Sequence, residues 1–257
     1  FRVSGSDSHE SELTDHLAAA GAKVMYGQAA ANITDDIDLV VYTAAVHTDN
    51  PEYAEVVRRG IPMMTRAELL GQIMKNYGEA IAISGTHGKT TTTSMVTEIL
   101  LAAEKDPTIS VGGILHSIGG NIRVGGPELF VTEACEYTNS FLSFFPTMEI
   151  ILNIEADHLD FFKDLDDIRH SFRLFAEKLD EKGLLIINRD IKNYEEISGG
   201  LPCRVVTFGH SSESDYSAAD ITYDAFARPT FTLTEQGKKA GTITLGVPGE
   251  HNVYNAL

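Results

Sequence analysis

The run Ala80-Ile81-Ala82-Ile83-Ser84, followed by Gly85-Thr86-His87-Gly88-Lys89-Thr90-Thr91, constrains this chain more than any other segment. An almost continuously apolar strand suits burial on both faces, as in a parallel sheet. The residues after the loop predict a helix over 89–103. A strand, a glycine-bearing turn and a helix start together meet the physical needs of a phosphate loop. Glycines let backbone N–H groups turn toward an anion, and the helix N-terminus adds its dipole. A lysine reaches the outer phosphates, and a hydroxyl holds Mg²⁺. Lys89 and Thr90 supply the last two. Ile83 stands where the general Gly-x4-Gly-Lys-Ser/Thr pattern has its first glycine, so this loop is a shorter form. The rival reading is a plain strand-to-helix turn that happens to hold Gly and Lys, and the agreement of strand, loop and helix weighs against it. His87 is read as tolerating the turn, not as catalytic.

The remaining pattern fits an α/β fold. Residues 10–20 read as a helix, 22–26 as a strand and 38–43 as an apolar run. A helix over 51–59 follows, then a strand over 61–64 and a helix over 66–75. Pro51 suits a first helical turn, where its missing N–H costs nothing. Strands alternating with helices imply a parallel sheet with crossovers. Residues 76–79 read as a short linker. Beyond the phosphate loop, strands are expected at 129–133, 149–154, 184–188 and 204–208, with helices at 165–179 and 190–197. After Gly209, alternating stretches at 216–227, 230–234 and 242–245 predict an antiparallel meander.

Charge excludes one class of partner. Against 37 Asp+Glu there are 20 Lys+Arg, a formal net charge of −17. Broad binding to nucleic acid or an anionic membrane rests on Lys and Arg neutralising phosphates, and this balance opposes it. It leaves room for one phosphorylated ligand at a local site. The two cysteines, Cys135 and Cys203, form no spacing motif, which fits a reducing, cytoplasmic compartment. No run approaches the roughly 18–20 apolar residues that cross a bilayer. Both ends read as cut: Phe1–Asp7 resembles the tail of a strand entering a polar turn, and residues 253–257 begin a helical pattern too short to stand alone. Asn252 is placed to cap that helix.

Two more residues lie at expected carboxyl ends of parallel strands. Glu133 ends Leu129-Phe130-Val131-Thr132, and His158 follows Ile150–Ile154 through Glu155-Ala156-Asp157. In open α/β sheets ligands bind beyond those ends, so Lys89, Thr90, Glu133 and His158 are candidates for one metal–nucleotide site. Mg²⁺ prefers oxygen ligands, which suits Glu133 better than His158. A solvated carboxylate and a hydrogen-bonded loop histidine are the ordinary alternatives.

Four stretches together resemble the Mur ligase family: residues 85–93, Glu133-Ala-Cys-Glu-Tyr137 with Ser140-Phe-Leu142, Asn153-Ile-Glu-Ala-Asp-His158, and Pro248-Gly-Glu-His-Asn-Val-Tyr-Asn-Ala-Leu257. Ser4-Gly-Ser-Asp7, Thr43-Ala-Ala-Val46 to Asn50-Pro-Glu52, and Arg66-Ala-Glu-Leu-Leu70 are similar too, so the resemblance covers the chain. It implies an incomplete Rossmann-like UDP-sugar-binding domain over 1–77, lacking its first strand and Gly-rich loop. A central P-loop-type ATPase over 78–257 follows, and a C-terminal domain is absent. It further implies a soluble monomer or homodimer that uses ATP and Mg²⁺ to join L-alanine to UDP-N-acetylmuramic acid. Gly85, Thr86, His87, Gly88, Lys89, Thr90 and Thr91 would bind the phosphates, and Thr90, Glu133 and His158 the metal. Lys89, Glu133 and His158 would be catalytic, Asn252 and Asn255 would lie beside adenine, and Ser6 and Asp7 near the UDP moiety. The carbamylated lysine of other family members is not expected, because residues 165–177 contain no lysine. A murein-peptide recycling ligase, a phosphotransferase or motor-type ATPase, and an inactive nucleotide-binding fragment are the competing expectations.

Overall fold

The computed structural model describes residues 1–257, which divide into two compact units, Phe1–Leu69 and Leu70–Leu257. In the first unit the order is β1 (Ser4–Asp7), α1 (Glu12–Ala19), β2 (Lys23–Tyr26), β3 (Val40–Tyr42), α2 (Pro51–Arg59) and β4 (Met63–Thr65). Helix α3 (Arg66–Met74) runs through the division. β1 pairs with β2 and β3 with β4, each pair parallel. The polar residues Ser4–Asp7, expected as a turn, are themselves the strand, because their backbone groups pair with Lys23–Tyr26. Local chemistry sets α2. Asn50 Oδ1 accepts from the amides of Glu52 and Tyr53 (2.9 and 3.2 Å), Pro51 follows, and Gly60 ends the helix at φ 66°.

The second unit holds one ten-stranded sheet. Its elements are β5 (Glu79–Ser84), α4 (Lys89–Ala102), β6 (Thr108–Leu115), β7 (Gly120–Arg123), β8 (Leu129–Glu133), β9 (Met148–Ile151), α5 (Leu165–Ala176) and β10 (Leu184–Asn188). Then come α6 (Glu195–Ser198), β11 (Arg204–Gly209), β12 (Tyr216–Tyr223), β13 (Pro229–Glu235), β14 (Lys238–Thr244) and α7 (His251–Ala256). The spatial order is β14-β13-β12-β11-β10-β9-β5-β8-β6-β7. Strands from β12 through β6 in that order run parallel, and the antiparallel pairs lie at the two edges.

β5 is therefore central, hydrogen-bonded to β8 on one side and β9 on the other. One of its faces carries Ile81 and Ile83, which join Val131, Ile150, Leu152 and Phe208 in a buried cluster covered by Val96 and Leu100 of α4. Beyond the sheet, the Phe141 ring stacks on Phe175 of α5 (centroids 4.5 Å) and meets Phe172 edge-on (5.3 Å). No helix is long and apolar enough to cross a membrane.

Two expected elements differ, and one hairpin is additional. The strand expected over 149–154 stops at Ile151, since Leu152 and Asn153 bond the chain that leaves β5. The helix expected over 190–197 shrinks to Glu195–Ser198. There the Asp190 amide donates to Asn188 Oδ1 (2.8 Å) and the Asp190 carboxylate accepts from the His210 amide (2.9 Å), so side chains hold the segment as a turn. β6 and β7, not expected at all, form an edge hairpin whose strands contain glycines and exposed Ile114 and Ile122.

Glu149 is an apparent conflict within this core. It is fully buried on β9, and neither carboxyl oxygen has a hydrogen-bond partner. Burial raises its pKa well above 4.5, only partly offset by the charge of Lys178. Because the folded-state pKa lies above the unfolded one, folding takes up a proton once the pH exceeds 4.5, and stability falls as pH rises toward the folded-state value. Glu149→Leu is therefore expected to raise unfolding free energy at pH 8 by about 2 kcal/mol and much less at pH 5. Urea unfolding at the two pH values measures the difference, and equal effects at both would contradict this account.

Candidate active site

The central position of β5 sends its chain out at the carboxyl edge of the sheet, between the loops that follow β8 and β9. Both loops clamp it. The Ala134 amide donates to Ile83 O (2.8 Å), and the Leu152 amide to Ser84 O (3.0 Å). Thr86 N donates to Asn153 O (3.1 Å), and the Thr86 hydroxyl accepts from the Glu155 amide (2.9 Å). The Asn153 side chain grips the loop from both sides: its Oδ1 accepts from His87 N (2.7 Å) and its Nδ2 donates to His87 O (2.9 Å). Gly85 and Gly88 have φ of 136° and 86°, a region that disfavours side chains. A Cβ at Gly88 would also stand 2.5 Å from Asn255 Oδ1.

The result is an open depression of about 270 Å³ lined by Thr86, His87, Gly88, Lys89, Thr90 and Thr91. α4 begins at its floor with Gly88 at the cap and no side chain bonded to the first-turn amides. Those amides and the helix dipole are therefore available to an anion. A second depression of about 210 Å³, around Arg204, Asp215 and Glu235, shares no residue with it.

Lys89 folds back over the loop. Its Nζ donates to Gly85 O (2.6 Å) and Thr86 O (3.3 Å) and pairs with Glu136 Oε2 (3.1 Å). Glu133 accepts at Oε1 from the Gly112 amide of β6 (2.5 Å). A Cβ at Gly112 would approach the Glu133 carboxylate to 2.9 Å, and one at Gly113 would lie 3.3 Å from Thr90 Cγ2. Thr90 and Glu133 thus border the same pair of glycines. His158 is placed differently. Its backbone is left-handed (φ 53°), its ring lies against Tyr137 (centroids 4.6 Å) and its amide donates to Asp157 Oδ1 (2.7 Å). His87 points outward, 3.7 Å from the Glu155 carboxylate, with both side chains about two-thirds exposed.

Asn252 is a correction. It lies inside α7, whose cap position is Glu250, and its Nδ2 donates to Pro248 O (2.7 Å) instead of capping the helix. Asn255 Nδ2 donates to Asn252 Oδ1 (3.1 Å), and Thr92 of α4 bonds Asn255 O (3.4 Å). α7 is thereby docked on α4 with the two asparagines linked beside Gly88. In the first unit, Ser6 Oγ donates to Glu52 Oε2 (2.6 Å) and Asp7 Oδ1 accepts from the His9 amide (3.1 Å).

No three His, Cys, Asp or Glu side chains converge. Mg²⁺ held with a nucleotide takes one or two protein oxygens, phosphate oxygens and water. The Thr90 hydroxyl and the Glu133 carboxylate are of the right chemistry. Sequence reading missed Asn153 and Glu136 as site residues. Asn153 sat inside an expected strand, and no spacing rule pairs Glu136 with Lys89.

Comparison with known proteins gives a consistent result. The Mur ligase middle domain matches residues 83–257, and the Mur ligase family catalytic domain matches 1–78. The UDP-N-acetylmuramate–L-alanine ligase of Lachnospira eligens is 67% identical over all of this chain and 56% of its own length. The enzyme of that name from Lachnoclostridium phytofermentans is 53% identical over 57% of its length. The chain thus spans little more than half of these relatives. Among solved structures, UDP-N-acetylmuramate–alanine ligase MurC from Thermotoga maritima superposes with a TM-score of 0.84 at 32% identity, over 98% of this chain and 56% of that one. The UDP-N-acetylmuramate:L-alanyl-γ-D-glutamyl-meso-diaminopimelate ligase from Neisseria meningitides gives 0.88 at 26%, over 100% and 83%.

Removing the Asn153 clamp tests this geometry. Asn153→Ala is expected to lower unfolding free energy by about 1–2 kcal/mol and to speed hydrogen exchange at the His87 amide. Unchanged protection at His87 in that variant would show that the loop is held by other means.

Proposed function

The chain belongs to the Mur ligase family, and from that footing we propose that it carries two of the working parts of an ATP-dependent ligase. Residues 1–77 would hold a UDP-sugar and residues 78–257 ATP. The complete reaction would join L-alanine to the lactyl carboxylate of UDP-N-acetylmuramic acid, for peptidoglycan precursors made in the cytoplasm. The observation that carries the ATP assignment is the loop at the carboxyl end of β5, with free helix N–H groups, Lys89 above them and Thr90 at the helix start. The acceptor and the amine are inferred from the shared name of the Lachnospira and Lachnoclostridium relatives.

The chemistry has to bring two anions together. The lactyl carboxylate attacks the γ-phosphorus, the bond to the β–γ bridging oxygen breaks, and ADP leaves with its electron pair. The alanine amine then adds to the acyl phosphate, loses a proton and expels inorganic phosphate. Mg²⁺, when bound through Thr90 and Glu133, neutralises phosphate charge. The chain's own residues do the remaining work. The helix-start amides that follow Gly88 orient the phosphates, and the Lys89 ammonium faces charge that moves onto the bridging oxygen. His158, at the end of the loop after β9, is proposed to lie on the γ-phosphate side, and Asn252 and Asn255 on the adenine side. Ser6 and Asp7 would lie toward the UDP moiety.

A peptide in place of alanine is the second reading, favoured by the likeness to the Neisseria structure. ADP release is measured with UDP-N-acetylmuramate and each candidate amine, using the polypeptide that contains this chain. Turnover requiring both the UDP-sugar and L-alanine is expected, and Lys89→Ala should reduce it by about 100-fold or more. Preference for the tripeptide would move the assignment to the second reading, and full activity in Lys89→Ala would remove the phosphate-loop role.

A further inference from the structure

Glu136 lies three residues beyond Glu133 in the same turn after β8, yet the two carboxylates point to different neighbours. Glu133 meets β6 at Gly112, and Glu136 meets the loop after β5. Glu136 is 2% exposed, and its carboxylate has one partner, the Lys89 ammonium, at 3.1 and 3.4 Å. A carboxylate buried this deeply is strongly destabilising once its counter-charge leaves. Lys89 is itself only 16% exposed at the side chain. Its three N–H donors are matched by three acceptors: Gly85 O, Thr86 O and Glu136.

A triphosphate entering the depression needs that ammonium. Two of its present partners are neutral carbonyls of the loop the phosphates would occupy, and these are replaced at little cost by charged phosphate oxygens. The third is a carboxylate 2% exposed with no other partner. We propose that Glu136 is a positioning residue for the nucleotide. It would keep hold of Lys89 from the sheet side while the Gly85 and Thr86 carbonyls give way to outer-phosphate oxygens. The ammonium would then reach the phosphates by a short pivot with its side chain already ordered, and that preorganisation would raise affinity for outer phosphates specifically. The backbone supports such a pivot, since the Ala134 amide ties the turn bearing Glu136 to Ile83 of β5 at 2.8 Å.

This rests on the ATP-binding reading of the loop, and the test separates the two. ATP binding to the chain is measured by calorimetry, and binding of AMP, which lacks the outer phosphates, by saturation-transfer NMR. Glu136→Gln is expected to weaken ATP binding by about tenfold or more while leaving AMP unchanged. Lys89→Ala combined with Glu136→Gln should lose no more than Lys89→Ala alone. ATP bound by Glu136→Gln as tightly as by the unaltered chain, equal losses for ATP and AMP, or additive losses in the pair would each overturn the proposal. Absence of ATP binding to the unaltered chain would overturn the phosphate-loop reading and this one together. Should Glu136→Gln not fold, Glu136→Asp, which draws the carboxylate back by one methylene, is compared in the same way with the same outcomes.

Discussion

A strand hydrogen-bonded on both sides can release its chain only past the edge of the sheet, and β5 is such a strand. Everything that makes the site follows from that confinement. The loop after β5 emerges between two other loops, and each supplies backbone bonds that fix it: Ala134 to Ile83 from one side, Leu152 to Ser84 and Asn153 to Thr86 from the other. Glycines at 85 and 88 then turn without a side chain in the way, and α4 starts facing the space they leave. The parallel register does the rest by ending β8 beside β5, so that Glu133 and Glu136 arrive at the loop without any long-range side-chain reach.

Charge is handled locally in the same place. The chain as a whole is strongly acidic, with a formal net charge of −17, and would repel a nucleotide at distance. At physiological ionic strength that repulsion fades within a Debye length of about 8 Å. Inside that range the loop amides and Lys89 dominate. The one carboxylate buried against Lys89 leaves two of the three ammonium donors on neutral backbone carbonyls.

The elements that could be read from sequence were those whose residues state their own burial. Ile81, Ile83 and Val131 alternate or run together on strands that bury both faces, and α2 begins and ends where Asn50, Pro51 and Gly60 place it. The glycine-bearing turn between β5 and α4 was legible because its residues are consecutive. β6 was not, since Gly112 and Gly113 dilute its apolar pattern and only its first four residues are buried. The segment 190–194 reads as helix by composition but is held as a turn by Asp190 and Asn188, whose partner His210 lies 20 residues away. Asn153 and Glu136 act through partners 66 and 47 residues distant, and no local pattern encodes such pairs.

The glycine pair of β6 has a consequence for how this site can vary. Gly112 offers Glu133 a backbone amide, and with Gly113 it leaves an opening that has main chain, not side chain, on one wall. That wall cannot be tuned by exchanging one amino acid for a slightly larger one, because the first added carbon pushes on the Glu133 carboxylate itself. Its position is set by the spacing of hydrogen-bonded strands, a dimension common to all sheets. The width of the opening that Thr90 and Glu133 border is therefore gauged by a ruler that mutation does not lengthen.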